Sequence, residues 1–315
     1  MNVLESEEPL LDTATLGQTD PSAQIIKKRR TTMKKPTDTY LLTNGVKVPC
    51  IGFGTWQTPD GEVAKNSVID AIKSGYVHID TTAIYGNEKS VGDGIKESGA
   101  NREDLFITTK LWNDSHDYHA CKKAFAESME RLSLDYLDLY LVHWPNPIAI
   151  RDKFEETTKS MWQAMEELYE EGKVRAIGVS NYLPHHLDYL LSIAKIKPMV
   201  NQIRIYPGFV PEENIDYCTK HGMLLQAYSP LGTGSLLSAP PLQEIADKYN
   251  TTIAKLCIKW SLQRGFNPLP KSVTTQRIKD NLDVFGFEIA AEDMEKLNNM
   301  ENFGNPEEHP DKVGF

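Results

Sequence analysis

The 315-residue chain has no apolar run approaching the roughly 18 residues needed to cross a bilayer, which excludes a membrane-spanning helix. Its N-terminus starts acidic and has no apolar stretch behind a basic start, so no secretory leader is expected. Nor is it poor in acids, as a transit peptide is. Cysteine is scarce: Cys50, Cys121, Cys218 and Cys257 are scattered, with no CxxC pair and no histidines at ligand spacing. A metal site and a disulfide framework are therefore not expected, and a reducing cytoplasm is the default location. Excess positive charge is missing as well. The 34 Lys and Arg against 44 Asp and Glu leave a net −10, which argues against nucleic acid or an anionic membrane as partner. No Gly-x-Gly-x-x-Gly follows an early strand either. Gly52-Phe53-Gly54-Thr55-Trp56-Gln57 lacks the third glycine, so an open dinucleotide-binding sheet fits poorly.

Aromatic residues are absent before Tyr40. Residues 1–38 mix Ser, Thr, Pro and Gln with cancelling charges and hold no sustained period, which predicts a disordered tail ahead of a folded body over 39–315. Lys27-Lys28-Arg29-Arg30 reads as a solvated charge run. From Tyr40 the pattern becomes regular. Leu41-Leu42 and Val46-Lys47-Val48 flank Asn44-Gly45, which predicts a β-hairpin. Eight short apolar runs follow: Ile51–Gly54, Val77–Ile79, Leu105–Thr108, Leu137–Val142, Ala176–Val179, Met199-Val200, Leu224–Ala227 and Pro268-Leu269. Amphipathic stretches separate them; the clearest puts Trp162, Met165, Leu168 and Tyr169 on one face and stops at Gly172. Eight strand–helix alternations point to an α/β fold, a closed (β/α)8 TIM barrel, expected to act as a monomer.

At three successive strand ends the sequence releases polar residues. The string from Asp80 to Glu88 carries Tyr85, the third strand ends toward Lys110, and Leu141-Val142 runs into His143-Trp144-Pro145. An acid, a phenol, an amine and an imidazole at the mouth of a barrel form a proton-transfer set suited to a carbonyl. Tyrosine is a weak acid at its ordinary pKa of about 10, and a neighbouring ammonium lowers that value. Lys110 would supply the charge and Asp80 would anchor Lys110. His143 would donate to the carbonyl oxygen that Tyr85 protonates. No amino acid supplies a hydride, so a nicotinamide cofactor is required. Ser180, Asn181 and Gln202 end the fifth and sixth strands and are suited to a carboxamide, and Tyr228 offers a flat face to its ring. Lys271-Ser272-Val273-Thr274-Thr275-Gln276-Arg277 combines helix-capping residues with two cations, fitting a phosphate monoester; taken alone, the loop reads as the capped start of a surface helix.

From Tyr40 to Phe315 the chain resembles the aldo-keto reductases, barrels that reduce aldehydes and ketones with NADPH, and among them bacterial-type members of the 2,5-diketo-D-gluconate reductase kind. Gly54-Thr55-Trp56, Asp80…Tyr85, Lys110-Leu111-Trp112, His143-Trp144-Pro145, Gly178-Val179-Ser180-Asn181, Asn201-Gln202, Tyr228-Ser229-Pro230-Leu231-Gly232 and Pro270-Lys271-Ser272 occur in the family's order. The resemblance implies a tetrad of Asp80, Tyr85, Lys110 and His143. It implies that Ser180, Asn181 and Gln202 hold the carboxamide and Tyr228 stacks on the ring. Lys271, Ser272, Thr274 and Arg277 would hold the 2′-phosphate of NADPH, with Asp280 and Asn281 near the adenine. Gly54, Thr55, Trp56, Ser229, Leu231, Gly232 and Val273 join them as cofactor residues. Two positions depart from the family's pattern: Arg204-Ile205-Tyr206-Pro207 replaces an acid followed by Tyr-His-Pro, and Asp280 stands where a glutamate is common.

Trp56, Trp112, His143 and Trp144 are expected to bind substrate, whereas Trp162 and Trp260 are expected in the core. The short segments 146–153 and 228–238 predict a shallow, wet pocket walled by Trp56 and Trp112, suited to small polar carbonyls unless Phe303 or Phe315 folds over it. Two other classes fit less well. A cofactor-keeping binding subunit is disfavoured by the intact tetrad, and a barrel hydrolase by the lack of clustered metal ligands or a second carboxylate near His143.

Overall fold

The computed structural model describes residues 33–305 and 308–315, and the predicted tail lies outside the described residues as far as position 32. The folded body begins earlier than residue 39. Met33 is buried, the Asp38 carboxylate accepts the amides of Lys34 and Lys35, and Cys50 N–H donates to Asp38 O at 2.7 Å. A hydrogen-bonded turn of this kind leaves no trace in apolar content, which is why composition alone set the boundary too late.

Strands β1 (Thr39–Leu41) and β2 (Lys47–Pro49) pair antiparallel with Tyr40 opposite Val48. Gly45 takes the left-handed φ of 87° that the predicted turn needs. The hairpin plugs the N-terminal end of the barrel, where the Tyr40 hydroxyl donates to Phe266 O.

Eight parallel strands follow: β3 (Phe53–Gly54), β4 (His78–Asp80), β5 (Phe106–Leu111), β6 (Leu139–Val142), β7 (Ile177–Ser180), β8 (Val200–Arg204), β9 (Leu224–Tyr228) and β10 (Asn267–Leu269). Each pairs with the next in chain order. Gly52 N–H donates to Pro268 O and Gly54 N–H to Pro270 O, both at 3.0 Å, which draws the first and last strands together into a barrel. A Cβ on Gly52 would lie 2.6 Å from both His78 Nδ1 and a Leu269 methyl, so only glycine permits that approach.

Helices α1 (Glu62–Ser74), α2 (Glu88–Ser98), α3 (Tyr118–Leu132), α4 (Phe154–Glu170), α5 (Pro184–Ile193) and α6 (Glu212–Lys220) fill the crossovers. α7 (Pro240–Lys248) and α8 (Ile253–Gln263) share one crossover, and α9 (Thr275–Leu282) and α10 (Ala291–Asn299) follow β10. α9 packs back on α1 and closes the outer ring. Trp162 and Trp260 are buried, as predicted. The four cysteines are buried and unpaired. No helix among the described residues is long and apolar enough to cross a membrane.

The strands reach further toward their C-terminal ends than apolar runs indicate. β5 continues through Lys110 to Leu111, β7 takes in Ser180, and β8 carries Gln202 at its centre. Lys110 therefore stands inside a strand rather than past its tip. A charged residue breaks an apolar run, yet it can occupy a barrel interior once its charge is matched. At the other end, Leu137 makes only an isolated bridge to Val174.

Candidate active site

The four expected catalytic residues converge. Asp80 closes β4, and its Oδ1 receives Lys110 Nζ at 2.6 Å from the neighbouring β5. Lys110 Nζ also donates to Thr81 O at 3.0 Å. Both side chains are almost wholly buried, so each charge depends on the other. Tyr85 ends a short 3-10 turn (Ala83–Tyr85) that follows β4, with Lys110 Nζ 5.6 Å from its ring centre. His143 follows β6, with its ring centroid 6.2 Å from that of Tyr85. Tyr85 and His143 are half-buried, open to the barrel mouth.

The electrostatics correct one expectation. Burial, reinforced by the Asp80 carboxylate and Tyr228, holds the Tyr85 phenol well above its ordinary pKa rather than below it. Lys110 does not outweigh burial there, because Asp80 is paired with its ammonium and burial itself pulls the Lys110 pKa down. Burial and then Lys110 hold His143 far below the usual histidine range, so it is a neutral imidazole. Its Nδ1 lies 3.4 Å from the Thr82 hydroxyl, which also reaches Lys110 O at 3.1 Å. Thr82 is a neighbour that strand-tip reading passed over.

On the predicted cofactor side, Ser180 Oγ donates to Gln202 O at 2.7 Å, and Asn181 Nδ2 donates to His143 O and Ser180 Oγ. Asn181 Oδ1 accepts from the Tyr228 hydroxyl at 2.8 Å. Asn181, Ser229 and Gln57 adopt left-handed backbone, φ 62°, 48° and 54°, conformations that non-glycine residues take only where surroundings impose them. Thr55 Oγ1 donates to Asp80 O and so joins the site to β3.

At the rim, Lys271 Nζ donates to Gln57 O at 3.0 Å and is half-buried, which lowers its pKa. Ser272 Oγ accepts Thr274 N–H, Val273, Thr274 and Arg277 are exposed, and α9 has no acid in its first turn. A helix N-terminus flanked by two cations and free of acids suits a phosphate dianion. Asp280 Oδ1 accepts from Gln276 one turn earlier in α9, and Asn281 is buried. Leu231 and Gly232 lead into the 3-10 segment Gly232–Ser238 after β9.

The mouth is more apolar than two tryptophans. Trp56 is exposed, Trp112 half-buried and Trp144 buried, and Phe315 folds onto the last two. Its ring lies 5.7 Å from Trp112 and 5.3 Å from Trp144, while Trp112 packs 5.1 Å from His143. Phe303 instead packs against the core. The C-terminal segment is held by Arg151 donating to Val313 O, by Ile148 N–H donating to Phe315 O and by Asp311. Asp311 accepts from Asn146 and His186, with His185 Nε2 3.1 Å from its other oxygen. His185, His186 and Asp311 are the one grouping of possible metal ligands among the described residues. His186 Nδ1, however, accepts the Leu183 N–H, so its ring hydrogen sits on Nε2 and donates to Asp311 at 2.7 Å. This is a hydrogen-bonded latch, with no lone pair of His186 left for a metal. The departing segment Arg204–Pro207 packs against the same C-terminal stretch, Tyr206 OH reaching Asn302 Oδ1 and Asn305 O.

Residues 50–302 match the model of the aldo/keto reductase family. The chain is 50% identical to the glyoxal reductase of Bacillus subtilis over 278 residues, 88% of this chain and 98% of the relative. It is 44% identical to the 9,11-endoperoxide prostaglandin H2 reductase of Trypanosoma cruzi, covering 82% of this chain and 90% of that one. Among solved structures, an aldo-keto reductase of Bombyx mori in complex with NADP superposes with TM-score 0.76 at 34% identity, over 87% of this chain and 95% of the other.

Proposed function

The chain belongs to the aldo/keto reductase family, and on that premise we propose that it reduces small polar aldehydes and α-dicarbonyls to alcohols with NADPH, Tyr85 serving as the general acid. The observation that carries the reading is the buried Asp80–Lys110 pair beside a protonated phenol and a neutral imidazole. NADPH, when bound, supplies the hydride.

The chain's own residues do the rest. The substrate oxygen sits between Tyr85 and His143. The Tyr85 hydroxyl gives up its proton as negative charge develops on that oxygen, and Lys110 stabilises the phenolate left behind. Asp80 keeps Lys110 in place. His143, a neutral imidazole, donates its ring hydrogen to the same oxygen. Ser180, Asn181 and Gln202 orient the carboxamide, Tyr228 packs on the ring, and Lys271 with Arg277 receives the 2′-phosphate.

The preference for small carbonyls draws support from the glyoxal reductase relative and from the short segments over the mouth. A bulkier apolar substrate is the second reading, favoured by the Trp112–Trp144–Phe315 wall. Purified protein with NADPH and a panel of glyoxal, methylglyoxal and a steroid ketone decides between them. Prompt loss of NADPH absorbance with the dicarbonyls is expected. Submicromolar steroid binding with poor dicarbonyl turnover overturns the preference.

A further inference from the structure

The barrel interior below the site carries a chain of side-chain amides that the reaction itself does not explain. Asn267 Nδ2 donates to Pro49 O, Gln226 Nε2 donates to Asn267 Oδ1, and Gln202 Nε2 donates to Gln226 Oε1, each at 2.9 Å. Gln202 Nε2 donates its second hydrogen to Asp80 Oδ2, again at 2.9 Å. All four side chains are buried. Gln226 and Asn267 are also the lone amides within β9 and β10, where apolar residues would pack as well.

The direction of every bond in this chain is forced. Pro49 O is a carbonyl and only accepts, so Asn267 turns its amine down and its oxygen up. Gln226 must then donate downward and present Oε1 upward. Asp80 is a carboxylate and also only accepts. Gln202 lies between two acceptors and spends both amide hydrogens on them. Its Oε1 takes no hydrogen bond among the described residues, and it is the only hydrogen-bonding capacity that side chain has left.

We propose that Gln226, oriented by Asn267 and the hairpin carbonyl of Pro49, is a positioning residue that makes Gln202 an acceptor-only contact, selecting the amine of the cofactor's carboxamide. The inference rests on the reading that Gln202 meets the carboxamide. It adds that the plug at the bottom of the barrel sets the polarity of the cofactor seat at the top. A carboxamide offers an amine to such a contact; an acetyl group in its place offers none.

The test is binding of NADPH and of its reduced 3-acetylpyridine analogue, read by quenching of intrinsic tryptophan fluorescence. One hydrogen bond predicts that the native protein binds NADPH about tenfold more tightly than the analogue. Gln226→Met has similar volume and no strong acceptor, so it frees one Gln202 hydrogen for the carbonyl of either ligand. Discrimination should then fall to within about threefold. Gln226→Glu, whose buried carboxyl keeps an acceptor toward Gln202, should restore it; a merely structural role would move the melting temperature and leave the ratio alone. If Gln226→Met does not fold, Gln226→Met/Asn267→Leu removes both members of the lower bond and is read in the same way. Native discrimination retained in folded Gln226→Met overturns the proposal. Equal native binding of both ligands, together with unchanged NADPH binding in Gln202→Ala, overturns it through its premise, because Gln202 then does not meet the carboxamide.

Discussion

Asp80, Lys110 and Gln202 lie within the barrel, 3%, 1% and 3% exposed, whereas Thr274 and Arg277 stand on a rim open to solvent. The first group has its hydrogen bonds in place before any ligand arrives: Lys110 on Asp80, Gln202 on Asp80 and Gln226. Of the rim groups, Lys271 donates to Gln57 O and Ser272 accepts an amide in its own loop. Burial makes charge matching obligatory in the interior, so the folded chain fixes the polarity of each group there. On the rim, Arg277 is open to solvent and Lys271 only half-buried, so their charges need no such partner. The interior is thus preorganised, while the contribution of the rim cations to binding an anion would vary with salt.

The largest expected effect breaks the interior. Tyr85→Phe keeps the ring and removes the proton, so carbonyl reduction should fall by roughly 10²–10⁴ or more while NADPH still binds. Near-native turnover would remove the assignment. The pH profile sharpens the same point. The Tyr85 pKa is raised, so the acid form persists through the neutral and mildly alkaline range, and kcat for reduction should show no downward limb below about pH 10. The reverse oxidation needs the phenolate and should rise with pH over that span. His143 is held neutral by burial, so no limb is expected near 6.5.

Rim changes should be smaller and selective. Neutralising Lys271 and Arg277 together removes charge-assisted contacts of about 1.5–3 kcal/mol each, less solvent screening. The Michaelis constant for NADPH should rise much more than that for NADH, and the difference should shrink at high salt. Equal losses for both cofactors would show that the pair does not read the 2′-phosphate.

The smallest effect concerns residues outside both regions. A chain starting at Met33 retains the Asp38 turn and should melt within a few degrees of full length with unchanged turnover. A large drop would show that residues 1–32 dock on the body.

Much of this site was legible as residue type at a strand tip. Asp80, Tyr85 and His143 interrupt or end apolar runs, and the barrel rule sends such residues to one face. Lys110 was legible too, though its place within β5 was not, because an apolar run stops at a charge while the strand does not. Gln226 and Asn267 left only a weak signal, single amides in short strands, since their partners are 41 and 218 residues away. Phe315 was legible only as one of two phenylalanines, with Phe303, able to fold over the mouth: the contacts that bring it to Trp112 and Trp144 come from Asn146, Arg151 and His186, on other segments.

The sequence by itself determined the alternation of strands and helices, the barrel that closes them, and which polar residues gather at its mouth, because each depends on local period and residue type. Only the tertiary structure decided their protonation. Lys110 beside an exposed tyrosine would have lowered its pKa; Lys110 paired to Asp80 in a dry interior does not outweigh burial. The same holds for the direction of the amide chain and for the apolar wall at the mouth. Charge compensation, desolvation and hydrogen-bond polarity belong to groups brought together from distant positions, and no window of sequence contains both partners.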